Sequence, residues 1–158
     1  MMKLVVASDF AGLSLKEDVK AHLIECGYEV KDVGQQVGGE QVVYVDAVVN
    51  LVKEIKSGAF ERGIIMCGTG GGVSILANKF KGIYAVACES IFTAPKCAIL
   101  NNANVLAMGG RVIGGANACE MVDAWLAQEF CKDFAPERAA FVGSLFKRLQ
   151  EVEEENLK

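Results

Sequence analysis

Residues 62–72 read RGIIMCGTGGG. Ile64, Ile65 and Met66 form an unbroken apolar run that ends on a thiol, Cys67. Four glycines and Thr69 follow at once, and residues from about 72 to 80 then take helical spacing. A short apolar run without polar alternation, closed by glycine and followed by a helix, is the pattern of a strand buried on both faces of a parallel sheet. The thiol has two readings at this point. It is a small core residue closing the strand, or it faces a ligand held by the glycines.

The same alternation runs outward in both directions. KLVVAS (3–8) predicts the first strand, and residues 12–26 place Leu13, Leu15, Val19, Leu23 and Ile24 at near-helical spacing before Gly27. YEVKDV (28–33) predicts a second strand, and the glycine- and glutamine-rich residues 34–43 a loop. Helices are expected over 46–57, 92–100 and 115–130, the last with Trp125 on its apolar face, and strands over 83–89 and 104–109. The final helix is expected to begin near Pro136, and its end, EVEEENLK, reads as a solvated, fraying tail. This order gives an α/β fold with a mainly parallel five-stranded sheet covered on both faces. Such sheets bind ligands beyond the C-terminal ends of their strands.

Composition narrows the function. A chain of 158 residues with net charge −4 suits one domain and carries no basic footprint for nucleic acid. No stretch approaches the roughly 20 apolar residues of a membrane span. MMKLVVASDF lacks the apolar core of a signal peptide, so a cytoplasmic protein is expected. The six cysteines, at 26, 67, 88, 97, 119 and 131, show no CxxC spacing, and His22 is the only histidine. Neither a metal centre nor a disulfide framework is expected from that pattern.

Three expected strand ends carry unusual residues: Ser8-Asp9, Cys67-Gly68-Thr69 and Met108-Gly109-Gly110-Arg111. GTGGG leading into a helix leaves backbone N–H groups free, suited to a phosphate or to an enolate formed by proton abstraction. It lacks both the GxGxxG spacing and the GK[ST] ending of a P-loop, so a plain strand-to-helix turn is an equal reading. A thiol beside it can serve as nucleophile or general base. Protease-type chemistry needs a histidine, and His22 falls mid-helix, so a proton-shuttling cysteine is what survives. Asp9 either accepts hydrogen bonds from substrate hydroxyls or caps the next helix. Arg111 is either a phosphate partner or half of a surface ion pair. NNAN (101–104) reads as a helix stop whose asparagines can also face a site.

SDFAG, CGTGGG, SILANKFKGIYAVAC and NNANVLAMGGRVIGG stand in that order along the chain. Together they resemble the ribose-5-phosphate isomerase B / galactose-6-phosphate isomerase family over about residues 3 to 130. The resemblance implies a Rossmann-like three-layer α/β/α sandwich, acting as a homodimer or dimer of dimers. It implies isomerisation of a sugar phosphate between aldose and ketose through a cis-enediolate, with no metal and no cofactor. Cys67 falls on the family's base, which moves the proton between C1 and C2. Thr69, Gly68, Gly70, Gly71 and Gly72 fall on the loop that stabilises the enediolate. Asp9, Tyr44 and Asn101 fall on substrate contacts and Arg111 on a phosphate contact. Arg138 matches a second phosphate contact, reaching a neighbouring subunit's site from a C-terminal helix over about 136–155.

Departures from the family pattern bear on substrate. Asp9-Phe10 replaces the family's Asp-His near the start, and Leu100 stands where the resemblance implies a ring-opening histidine. Val142 falls where a further arginine is expected. The proton-transfer parts are kept and the ring-opening part is gone. A tetrose 4-phosphate has its O4 blocked and closes no furanose, so the expected reaction is D-erythrulose 4-phosphate to D-erythrose 4-phosphate. Isomerisation of ribose 5-phosphate, allose 6-phosphate or galactose 6-phosphate is the alternative, and a non-catalytic sugar-phosphate-binding subunit a third.

Overall fold

Each apolar run becomes a strand in the computed structural model, which describes residues 2–157. The strands are β1 (Lys3–Ser8), β2 (Glu29–Asp32), β3 (Arg62–Cys67), β4 (Ala85–Ala87) and β5 (Val105–Gly109). The helices are α1 (Leu13–Glu25), α2 (Tyr44–Lys56), α3 (Gly71–Ala77), α4 (Thr93–Asn101), α5 (Gly115–Leu126) and α6 (Pro136–Asn156). A 3₁₀ turn, Phe10–Gly12, precedes α1.

All pairings are parallel, in the order β2-β1-β3-β5-β4. Right-handed crossovers place helices by the direction of each step. The steps from β1 to β2 and from β4 to β5 go one way, so α1 and α4 share a face with α5. The steps from β2 to β3 and from β3 to β4 go the other way, so α2 and α3 cover the opposite face. The cores agree: Leu4, Val6, Ile64, Met66, Leu106 and Met108 pack with α1, α4 and α5, including Trp125. Val5, Ala7, Ile65, Cys67 and Ala107 pack with α2 and α3. The chain changes direction across the sheet between β1 and β3, and the crevice at their C-terminal ends is the ligand position of this fold class.

Several boundaries differ from the sequence reading. β4 is shorter than 83–89, because Ile83 and Tyr84 belong to the turn that leads in, held by Asn104 Oδ1 accepting from Tyr84 N. α2 starts two residues early, at Tyr44. α5 stops at Leu126, and the turns after it include positive φ at Cys131 and Asp133. Residues 151–156 are not a fraying tail: helix α6 continues to Asn156 and its end is docked, while Lys158 lies outside the described residues. Glu153 accepts from Gly82 N and Tyr84 Oη, each at 3.0 Å, and Glu154 pairs with Lys81 at 2.6 Å. Phe146 adds an edge-on contact to Tyr84.

Lys16 on α1 is fully buried, which its place in a helix does not announce. Its ammonium donates to the Asp32 carboxylate and to the Gln35 carbonyl, and lies 3.0 Å from Glu17. Gln35 is itself buried, and its Oε1 accepts from Val42 N at 2.7 Å. Val42 O in turn accepts from Phe10 N. One buried cation thus fixes the 34–43 loop against the start of the 3₁₀ turn.

Candidate active site

Cys67 ends β3 with 6% of its surface exposed, on the α2/α3 side of the sheet. Gly70 N donates to its sulfur at 3.1 Å. That contact needs the backbone of Gly70 in the left-handed region, φ +82°, where glycine is at ease. The loop also lies hard against β5. A Cβ at Gly109 would fall 2.6 Å from the Thr69 carbonyl carbon, so only glycine admits this approach. Gly110 N donates to Cys67 O at 2.8 Å and Arg111 N to Gly68 O at 3.0 Å, joining the two strand ends. The diglycine before Arg111 is therefore the other half of the Cys67 turn.

Arg111 runs beside Gly68, with Nε about 3.7 Å from where a Cβ would stand. Thr69 Oγ1 accepts from Gly71 N at 3.3 Å. Tyr44, at the start of α2, lays its ring against Gly72, 3.4 Å from a Cβ there. Of the two readings of Asp9, the structure displays the cap. Asp9 is buried at the end of β1, and Oδ1 accepts from Gly12 N at 2.9 Å as the cap of the 3₁₀ turn. Oδ2 takes no hydrogen bond among the described residues. Phe10, next to it, is half exposed. Asp9, Phe10, Tyr44, Cys67, Thr69, the four glycines and Arg111 therefore form one cluster at the β1/β3 crevice.

Leu100, Asn101 and Arg138 do not join it. Leu100 and Asn101 end α4, which runs back from the C-terminal edge of the sheet to the opposite edge. Leu100 and Arg138 line a cavity of about 350 Å³ with Phe92, Lys96, Ile99 and Phe134. Val142 lines a neighbouring cavity of about 240 Å³ with Leu100, Asn101 and Leu145. The Arg138 guanidinium lies 4.2 Å over the Phe134 ring, and the Lys96 ammonium 5.8 Å over Phe92. Among the described residues neither cation has a carboxylate partner. Sequence reading missed Lys96. Its signal was the four-residue spacing to Leu100, which puts both on one face of α4.

The sequence matches the model of the family described as ribose/galactose isomerase over residues 4–140. A 4-deoxy-4-sulfo-D-erythrose isomerase of Clostridium sp. is 40% identical over 153 residues, 97% of this chain and 96% of that one. A D-erythrulose-4-phosphate isomerase of Pectobacterium atrosepticum is 39% identical over 82% of this chain and 86% of that one. The structure of ribose-5-phosphate isomerase B from Clostridium thermocellum superposes with a TM-score of 0.87 at 38% identity, covering 98% of this chain and 99% of that one. By sequence and by fold the chain belongs to the ribose/galactose isomerase family, and it is an aldose–ketose isomerase of sugar phosphates.

Proposed function

We propose that the substrate is a four-carbon sugar with a terminal tetrahedral anion, and that the reaction is D-erythrulose 4-phosphate to D-erythrose 4-phosphate. The observation that carries this reading is the wall of the Arg138 cavity. Apart from the cations Lys96 and Arg138 its lining is apolar, Phe92, Ile99, Leu100 and Phe134, and it holds no imidazole to pass a proton to a ring oxygen. A sugar whose C4 carries the anion forms no furanose and needs no such group.

Cys67 Sγ takes the proton from C1 of the ketose and returns it to C2 of the enediolate, giving the aldose. The charge that develops on O1 and O2 meets those amides of the Gly68–Gly72 loop and the first turn of α3 that do not already donate to Cys67 Sγ or Thr69 Oγ1. Asp9 Oδ2 and the Tyr44 hydroxyl hold substrate hydroxyls, and Arg111 faces the anion. No residue of the Cys67 cluster lines the Arg138 cavity, so a complete site takes the Cys67 cluster of one protomer and the Arg138 cavity of its partner. The exposed Phe141, Leu145 and Leu149 of α6 supply an apolar face for such a dimer.

A sulfonate in place of the phosphate is the second reading. It is favoured by the relative that acts on 4-deoxy-4-sulfo-D-erythrose, which matches through α6, whereas the erythrulose-phosphate relative aligns over 82% of the chain. The two substrates share the carbon count and the blocked C4, and differ in charge.

Hydrogen–deuterium exchange at C1 and C2, followed by NMR in deuterium oxide, tests the carbon count. Erythrose 4-phosphate or its sulfonate analogue is expected to exchange and ribose 5-phosphate to lag by orders of magnitude. Comparable turnover of ribose 5-phosphate would overturn the reading, and the better of the two tetroses identifies the anion. Lys96→Met is expected to raise KM roughly tenfold with kcat little changed, as for loss of one charged contact made equally in ground and transition states.

A further inference from the structure

Helices α1 and α5 lie side by side, and each carries two metal-ligating groups four residues apart on one face. His22 and Cys26 stand at the end of α1, and Cys119 and Asp123 on α5. Both helices return from the C-terminal edge of the sheet, so they run parallel and their registers advance together. Asp18 packs beside Gly115, and Cys119 Sγ lies 3.9 Å from the Asp18 carbonyl oxygen. One turn further on, His22 Nε2 lies 2.8 Å from Asp123 Oδ1 and 3.7 Å from Cys26 Sγ. The three ligand atoms fall within 4.8 Å of one another.

The 3.7 Å spacing is an edge of a coordination tetrahedron, and the 2.8 Å spacing is a hydrogen bond that an ion would open by about half an ångström. Zinc bonds of about 2.0–2.3 Å put ligand atoms roughly 3.3–3.7 Å apart. An ion pair between His22 and Asp123 explains one contact and leaves the Cys26 sulfur, on the same nitrogen, without a purpose. Imidazole, thiolate and carboxylate together are a donor set for zinc. One thiolate and one carboxylate also cancel the charge of a divalent ion.

We propose that His22, Cys26 and Asp123 form a binding site for a zinc-class divalent ion, with water in the fourth position, which clamps α1 to α5. The site lies toward the strand N-terminal edge, away from Cys67, and takes no part in proton transfer. Sequence spacing does not display it, because His22 and Asp123 are 101 positions apart and each helix supplies only part of the donor set.

Cobalt(II) added to the reduced, metal-stripped protein tests it. One equivalent is expected to give a thiolate-to-cobalt charge-transfer band, which one equivalent of zinc(II) removes. Cys26→Ser is expected to abolish the band, His22→Ala to weaken cobalt binding at least tenfold, and Cys67→Ser to leave the band unchanged. Zinc is expected to raise the melting temperature of the wild type by about 5 °C and that of Cys26→Ser by none. Cys26 is exposed, so its serine variant keeps the fold and the isomerase rate. A band that persists in Cys26→Ser, or none in the wild type, would overturn the proposal.

Discussion

Cys67→Ser is expected to lower kcat by about 10²- to 10⁴-fold, the range that a positioned general base contributes. The substitution keeps the size class of the side chain and the amide of Gly70 beside it, which donates to the sulfur at 3.1 Å. What it removes is the sulfur that takes up and returns the proton, and a serine hydroxyl has no base to take its own. The only histidine, His22, sits on α1, turned toward α5. Substrate affinity rests on other groups, so KM is expected to stay within about twofold. Proton exchange between solvent and C1 or C2 should fall in step with kcat, and the thermal melt should not move. Full activity in the serine variant would remove Cys67 from the reaction.

The second large effect is on stability. Lys16→Met is expected to cost about 3 kcal/mol, the low end for breaking a buried ion pair, because Lys20 still reaches Asp32 at 2.9 Å. For a chain of this length that lowers the melting temperature by roughly 8 °C. Burial works against the Asp32 carboxylate, but the ammonium groups of Lys16 and Lys20 and the Gly34 amide outweigh it and hold its pKa below the ordinary value. A carboxyl with a folded pKa below its unfolded one adds stability that is complete above the unfolded value. That stability disappears as pH falls through the folded value. Wild type is therefore expected to lose stability below about pH 4, and the gap to Lys16→Met to close there. Denaturant melts of both proteins between neutral and acid pH check the sign. Loss of Lys16 also frees the Gln35 carbonyl, so the 34–43 loop should loosen and KM rise with it.

These two residues show what the sequence displays. Cys67 was legible because its strand is a continuous apolar run and its glycines are adjacent, so local pattern and structure say the same thing. The sheet followed from the same kind of signal at every strand but β2, whose EVKD alternates, and Trp125 fell on the buried face as its spacing required. Lys16 was not legible. A lysine in an amphipathic helix reads as solvated, and its partners Asp32 and Gln35 arrive from another strand and loop. The end of α6 failed for the same reason, since the partners of Glu153 and Glu154 lie in the turn before β4. Lys96 and the His22–Asp123 cluster were hidden likewise. Each depends on a neighbouring helix that one-dimensional spacing does not supply.

The separation of the Cys67 turn from the Arg138 cavity carries a consequence for how members of such a family diverge. The Cys67 turn is locked by close backbone approaches at Gly70 and Gly109 and tolerates little change. The Arg138 cavity is built from side chains on the outer helices, where Lys, Leu or Phe can be exchanged without shifting a strand. On the reading proposed above, chain length and anion type are set by parts that never touch the reacting carbons. A lineage can then acquire a new sugar while inheriting its chemistry intact.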